Sequence, residues 1–139
     1  MVDALNRAHR WLRPDGCLID LRPTTDLVAR VQVGKPEGPW TDVGALIIQN
    51  ERRLRYAAAD RALQAVLDRG VFALASEGTL DFIRYADSPD ELRDYIASHW
   101  RETHMDAATH ARAAARIRQE PGHGVRLMER LVMRRLEKK

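Results

Sequence analysis

The chain of 139 residues contains a single cysteine, two phenylalanines and only 6% aromatic residues. One cysteine, Cys17, excludes an internal disulfide and suits a reducing compartment. No apolar run approaches the roughly 20 residues of a membrane-crossing helix, and no basic segment leads into a short apolar one as in a secretion signal. There is no Gly-x-Ser-x-Gly elbow to expose a nucleophilic serine, and no His-x-x-x-His pair to hold a metal. The one Gly-x-Gly in the sequence is Gly122-His123-Gly124, with no strand-like run ahead of it, so it lacks the context of a nucleotide loop. These absences point to a soluble cytoplasmic domain without a recognisable catalytic motif, and no cofactor is expected.

What is present reads as ordinary globular material. Apolar residues make up 45% and charged residues 31%, and the length suits one domain over 1–139. The net charge of +3 is unevenly distributed. Residues 1–111 carry 14 basic and 17 acidic side chains, whereas residues 112–139 carry 9 basic and 3 acidic ones. A basic terminal segment can meet nucleic acid, but this one has no interleaved aromatics and matches no reader motif. A solvated face is the expected role, with no nucleic-acid or membrane partner.

Ala4, Leu5, Ala8, Trp11 and Leu12 recur at helical spacing and predict a helix over 2–13, stopped by Pro14-Asp15-Gly16. Cys17-Leu18-Ile19-Asp20-Leu21 is a nearly continuous apolar run, which predicts a strand covered on both faces. Residues 27–33 alternate and 43–48 are apolar and β-branched, so two more strands are expected there, around a Pro/Gly loop that ends at Trp40. Residues 50–69 read as a helix closed by Gly70. The runs 71–76 and 79–86, separated by Glu77-Gly78, read as a hairpin. Ser88-Pro89-Asp90-Glu91 is a capping signature that opens another helix, and 106–119 forms a further alanine-rich one. In 125–136, helical and strand periodicities compete, and strand is the preferred reading. The expected fold is therefore α+β, a small mixed, mostly antiparallel sheet of about five or six strands packed with four or so helices.

Leu12-Arg13-Pro14-Asp15-Gly16 followed by an apolar strand resembles the stretch before the fifth strand of class I S-adenosylmethionine-dependent methyltransferases, with Asp15 in place of the usual first glycine. The order of elements that follows, through Asp87-Ser88-Pro89-Asp90-Glu91-Leu92 to the last residues, is similar to that family's C-terminal part. The resemblance implies descent from that fold. The family's cofactor site needs a first strand, a glycine-rich loop and two acidic residues, none of which has a counterpart here. Only a few residues precede the first helix, so the cofactor-binding half is expected to be absent and methyl transfer with it.

A strand at Cys17–Leu21 without its inner neighbour would expose an apolar edge. The runs at 27–33 and 43–48 could cover it, or a second copy of the chain could, so a homodimer is expected, or a separate protein as an accessory partner. The candidate ligand-binding residues are Asp20 and Arg22, at the C-terminal end of that strand and followed by Thr24 and Thr25, together with Trp40. Each has a plainer reading: Asp20 satisfied by Arg22, and Trp40 anchoring its loop. A small-molecule-binding protein or enzyme with a pocket near Asp20, Arg22 and Trp40 is the alternative function. His99, His104 and His110 with Asp106 do not share a helical face and read as surface residues, with no metal site. Cys17, in an apolar run, reads as a small buried hydrophobe.

Overall fold

A computed structural model of the chain describes residues 1–23 and 28–139. The expected Thr24, Thr25 and Leu27 positions lie outside the described residues. Among the described residues there are four helices and seven strands, and every strand pairing with an assigned register is antiparallel, so the α+β class holds. No helix among the described residues is long and apolar enough to cross a membrane.

The chain divides into two compact units. The first comprises Met1–Asp26, Arg53–Leu80 and Leu131–Lys139; the second comprises Leu27–Arg52 and Asp81–Arg130. The elements in chain order are α1 (Val2–Trp11), β1 (Cys17–Pro23), β2 (Arg30–Gly34), β3 (Trp40–Ala45), β4 (Ile47–Ile48), α2 (Asn50–Asp68), β5 (Phe72–Ala86), α3 (Pro89–His99), β6 (Thr103–His104), α4 (Ala107–Gln119) and β7 (Gly124–Lys138).

In the first unit β1 pairs with β7 from Cys17 opposite Glu137 to Pro23 opposite Leu131. Helices α1 and α2 supply the cover on one side. Leu63 and Val66 of α2 pack with Phe72 and Leu136, joined by Val2 and Leu5 of α1 and by Leu12 and Leu18. Gly70 takes φ +67° just past α2, a conformation that costs glycine least, and its amide closes on the Leu67 carbonyl. On the other side of this sheet, apolar side chains remain exposed. Ile19 and Leu21 are 51% and 47% exposed, so β1 is covered on one face only. Cys17, at the same alternation, is exposed rather than buried. Strand β2 pairs with β3 and with β7, and β1 pairs with β7.

In the second unit β2 lies between β3 and the start of β7, with Gly34 opposite both Trp40 and Gly124. Its core joins Val31, Val33, Val125 and Leu127 of the sheet to Leu92 and Ile96 of α3 and Ala113 of α4. Helix α3 starts as expected: the Ser88 hydroxyl accepts the Glu91 amide at 3.1 Å, and Glu91 Oε2 accepts the Asp87 amide at 2.7 Å. Asp106 caps α4 by accepting the Thr109 amide at 2.7 Å, and the Thr109 side chain, together with that amide, holds its carboxyl below the usual aspartate range. The alanine-rich α4 sits close on β3. A Cβ added to Gly44 would overlap Thr109 Oγ1 and Cγ2, and Thr109 is fully buried.

One expectation changes here, and one preferred reading holds. Residues 72–86 form one strand, not a hairpin, because Gly78 does not adopt the positive φ that a tight turn requires. Residues 124–138 are one strand as well, which resolves the competing periodicities. Gly44 gives a direct test of the helix–strand contact. Gly44→Ala is expected to destabilise by about 1–3 kcal/mol through overpacking, and adding Thr109→Ala should recover part of that loss in urea unfolding.

Candidate functional site

Alternation along a strand puts Asp20 and Arg22 on the same side of β1, and the register sets Asp20 opposite Arg134 of β7. Arg22 Nε donates to both Asp20 oxygens at 2.9 and 3.1 Å. Arg134 Nη1 reaches Asp20 Oδ2 at 3.4 Å, and its Nε bonds Glu77 of β5. Asp60 of α2 lies over this row, 2.7 Å from Arg22 Nη1 and 3.7 Å from Arg134 Nη1. Among the described residues, neither Nη1 nor Nη2 of Arg22 completes a hydrogen bond. Burial acts to lower the Arg134 pKa, but Glu77 and Asp20 outweigh it and hold the guanidinium above its ordinary range.

Three carboxylates and two guanidiniums thus form one ion-pair network over the first unit's sheet, with one negative charge in excess. A cleft of about 200 Å³ opens beside them, walled by Leu63, Leu67 and Leu74 and rimmed by Asp60, Glu77 and Arg134. Asp20 is met by Arg22, as the plainer reading had it, so the pair presents little free charge to a ligand.

Trp40 belongs to the second unit and has different neighbours. The Arg126 guanidinium stands 4.3 Å over its ring, and the Tyr85 ring makes a T-shaped contact with it at 5.6 Å between centroids. Arg126 is aimed by a polar row: its Nε donates to Gln32 at 2.8 Å, and Gln32 donates to Asp42 at 2.7 Å. Asp42 also accepts Arg30 Nε at 3.0 Å. In front of Trp40 lies a cleft of about 380 Å³, shared with Pro36, Tyr85, Asp87, Gly122 and His123. His123 Nε2 is held 2.8 Å from Glu120. Of the three residues singled out in the sequence, Asp20 and Arg22 meet, while Trp40 becomes a cleft wall with partners of its own. Tyr85, Asp87 and His123 were not foreseen; the alternation that sets Tyr85 and Asp87 two apart was the available signal.

The second unit also buries an acid. Glu129 of β7 is 5% exposed, with Arg52 of α2 at 3.6 Å. Arg52 in turn lies 5.0 Å from the Trp100 ring and bonds the Thr103 hydroxyl. Desolvation raises the Glu129 pKa more than Arg52 lowers it. Among the histidines, His99 stacks on Tyr95 at 4.3 Å and His110 Nε2 lies 3.0 Å from Asp90. No group of three potential metal ligands occurs among the described residues.

Glu129 carries a pH prediction. A carboxyl whose folded pKa is raised favours the native state below its unfolded pKa, and that contribution fades as pH rises through the folded value. Glu129→Gln should therefore remove this fall, gaining stability relative to the parent between pH 4 and 7 in denaturant titrations. Arg52→Ala should do the opposite at neutral pH, costing about 3–5 kcal/mol by leaving a buried charge alone.

No protein-family model, no curated protein and no solved structure matches this chain.

Proposed function

We propose that this protein is a cytoplasmic, non-catalytic domain that works as a homodimer, two copies meeting through the bare side of the first unit's sheet. The supporting observation is the apolar character of that side. Ile19, Leu21, Met133 and Leu80 are 51%, 47%, 44% and 46% exposed. The register sets Leu21 opposite Met133, so those two share a face with Ile19 two residues away. Leu80 falls on the same face because its neighbour Asp81 points to the other side, toward Arg130 at 2.7 Å, and Arg130 alternates with Met133.

About half of each of four large side chains amounts to roughly 350 Å² of apolar surface on one sheet face, a size that marks interaction sites. A standard interface takes about 800 Å² per partner, of which a little over half is apolar, so the patch supplies most of the apolar share. Self-pairing is favoured by the charges at its margin. Arg135 and Glu137 lie on the same face and pair with each other at 3.0 Å, so a two-fold axis can set each against its opposite on the second copy. The absence of a catalytic centre in this reading rests on the Asp20–Arg22–Asp60–Arg134–Glu77 cluster, whose charged groups are engaged with one another. Kinship with the methyltransferase fold remains part of the proposal, carried by Leu12-Arg13-Pro14-Asp15-Gly16 and the strand after it; a thermal-shift assay with S-adenosylmethionine should then show no stabilisation.

Light scattering at tens of micromolar is expected to return twice the 15.9 kDa chain mass. Leu21→Asp combined with Met133→Asp should return a single-chain mass with an unchanged circular-dichroism spectrum, since both positions are exposed. A single-chain mass for the parent protein would overturn the pairing.

A further inference from the structure

We infer that the cleft in front of Trp40 binds a small organic cation, an ammonium or guanidinium group carried on a compact apolar body. This inference concerns the second unit alone and is independent of the pairing of copies. Tyr85 is 54% exposed, its ring makes a T-shaped contact with Trp40, and both rings line the cleft. Aromatic faces attract cations through their quadrupole, and Trp40 already does so with Arg126 at 4.3 Å. That contact also fixes the indole, so one wall of the cleft is formed in advance.

Asp87 supplies the countercharge. It follows Tyr85 by two residues, lines the same cleft and is exposed. Its backbone amide is engaged by Glu91, but among the described residues no cation pairs with its carboxylate. Two basic side chains of this region are otherwise engaged. His123 is held by Glu120 at 2.8 Å, and Arg126 is bonded to Gln32 at 2.8 Å, stacked on the indole. An incoming cation therefore seats between the Tyr85 ring and the Asp87 carboxylate, while an anion would meet Asp87 unscreened. Pro36 and the Trp40 edge receive the apolar body. Gly122, held at φ +84°, and Gly124 have open space where a side chain would stand, so their backbone can approach the ligand and accept hydrogen bonds from an ammonium. The volume of about 380 Å³ lies within the range of small-molecule sites.

Benzylamine, with neutral benzyl alcohol and anionic benzoate as matched controls, tests the inference through backbone-amide shifts of the ¹⁵N-labelled chain. Benzylamine should move the amides of Tyr85, Asp87, Gly122 and Gly124 saturably, in the millimolar range expected of a fragment of about eight heavy atoms. The two controls should bind at least about fivefold more weakly. Asp87→Asn and, separately, Tyr85→Leu should each weaken benzylamine by about fivefold while leaving the melting temperature in place. Equal binding of benzyl alcohol, an unchanged affinity in Asp87→Asn, or no saturable shift with any of the three compounds would overturn it.

Discussion

Residues 124–138 form one extended strand, and both units are assembled on its hydrogen-bonding capacity. Its first residues pair with β2 and its last with β1, while β5 pairs with it as well. Each backbone amide of such a strand must find a carbonyl once it leaves water, so the partners have little freedom of register. The side-chain ties agree with that register. Asp81 meets Arg130 and Glu77 meets Arg134, four residues back on β5 against four forward on β7, as antiparallel pairing requires. Buried side chains then follow from which side of the strand is covered locally: Val125, Leu127 and Glu129 in one stretch, Val132 and Leu136 in the next.

That change of parity explains why the end of the sequence resisted a simple reading. A half-buried strand should alternate without a break, and a helix should return every three or four residues. Val125, Leu127, Val132 and Leu136 obey neither rule over their whole length, because the covered face changes between Glu129 and Val132. The helices were legible for a local reason. Ser88, Asp106 and Gly70 sit at helix ends, and their chemistry needs no knowledge of distant partners. Helix α2 was placed correctly, and the face it buries is Ala59, Ala62, Leu63 and Val66, two of them alanines. Alanine is small enough to suit either side, so it identifies a face poorly. Glu77-Gly78 misled because glycine permits a turn without imposing one.

The candidate sites divide the same way. Asp20 and Arg22 could be paired from sequence because they are two apart on a strand. Asp60 and Arg134, which settle the electrostatics of that pair, come from a helix and a strand far along the chain, and no local pattern ties them to it. The cleft beside Trp40 draws on positions 36, 40, 85, 87 and 122–125, so only the fold gathers it. Its polar support, from Arg30 through Asp42 and Gln32 to Arg126, is a chain of long side chains locked end to end, and such rows stiffen a wall that aromatic packing alone would leave free to rotate.

The lone thiol has a use that its sequence context concealed. Cys17 opens β1 at the same alternation as Ile19 and Leu21, so its sulfur sits at the foot of the bare face instead of inside a core. A thiol in that place is a native reporter: its rate of alkylation follows solvent access to the ribbon it terminates, and any body resting there would slow the reaction without a single residue having been replaced.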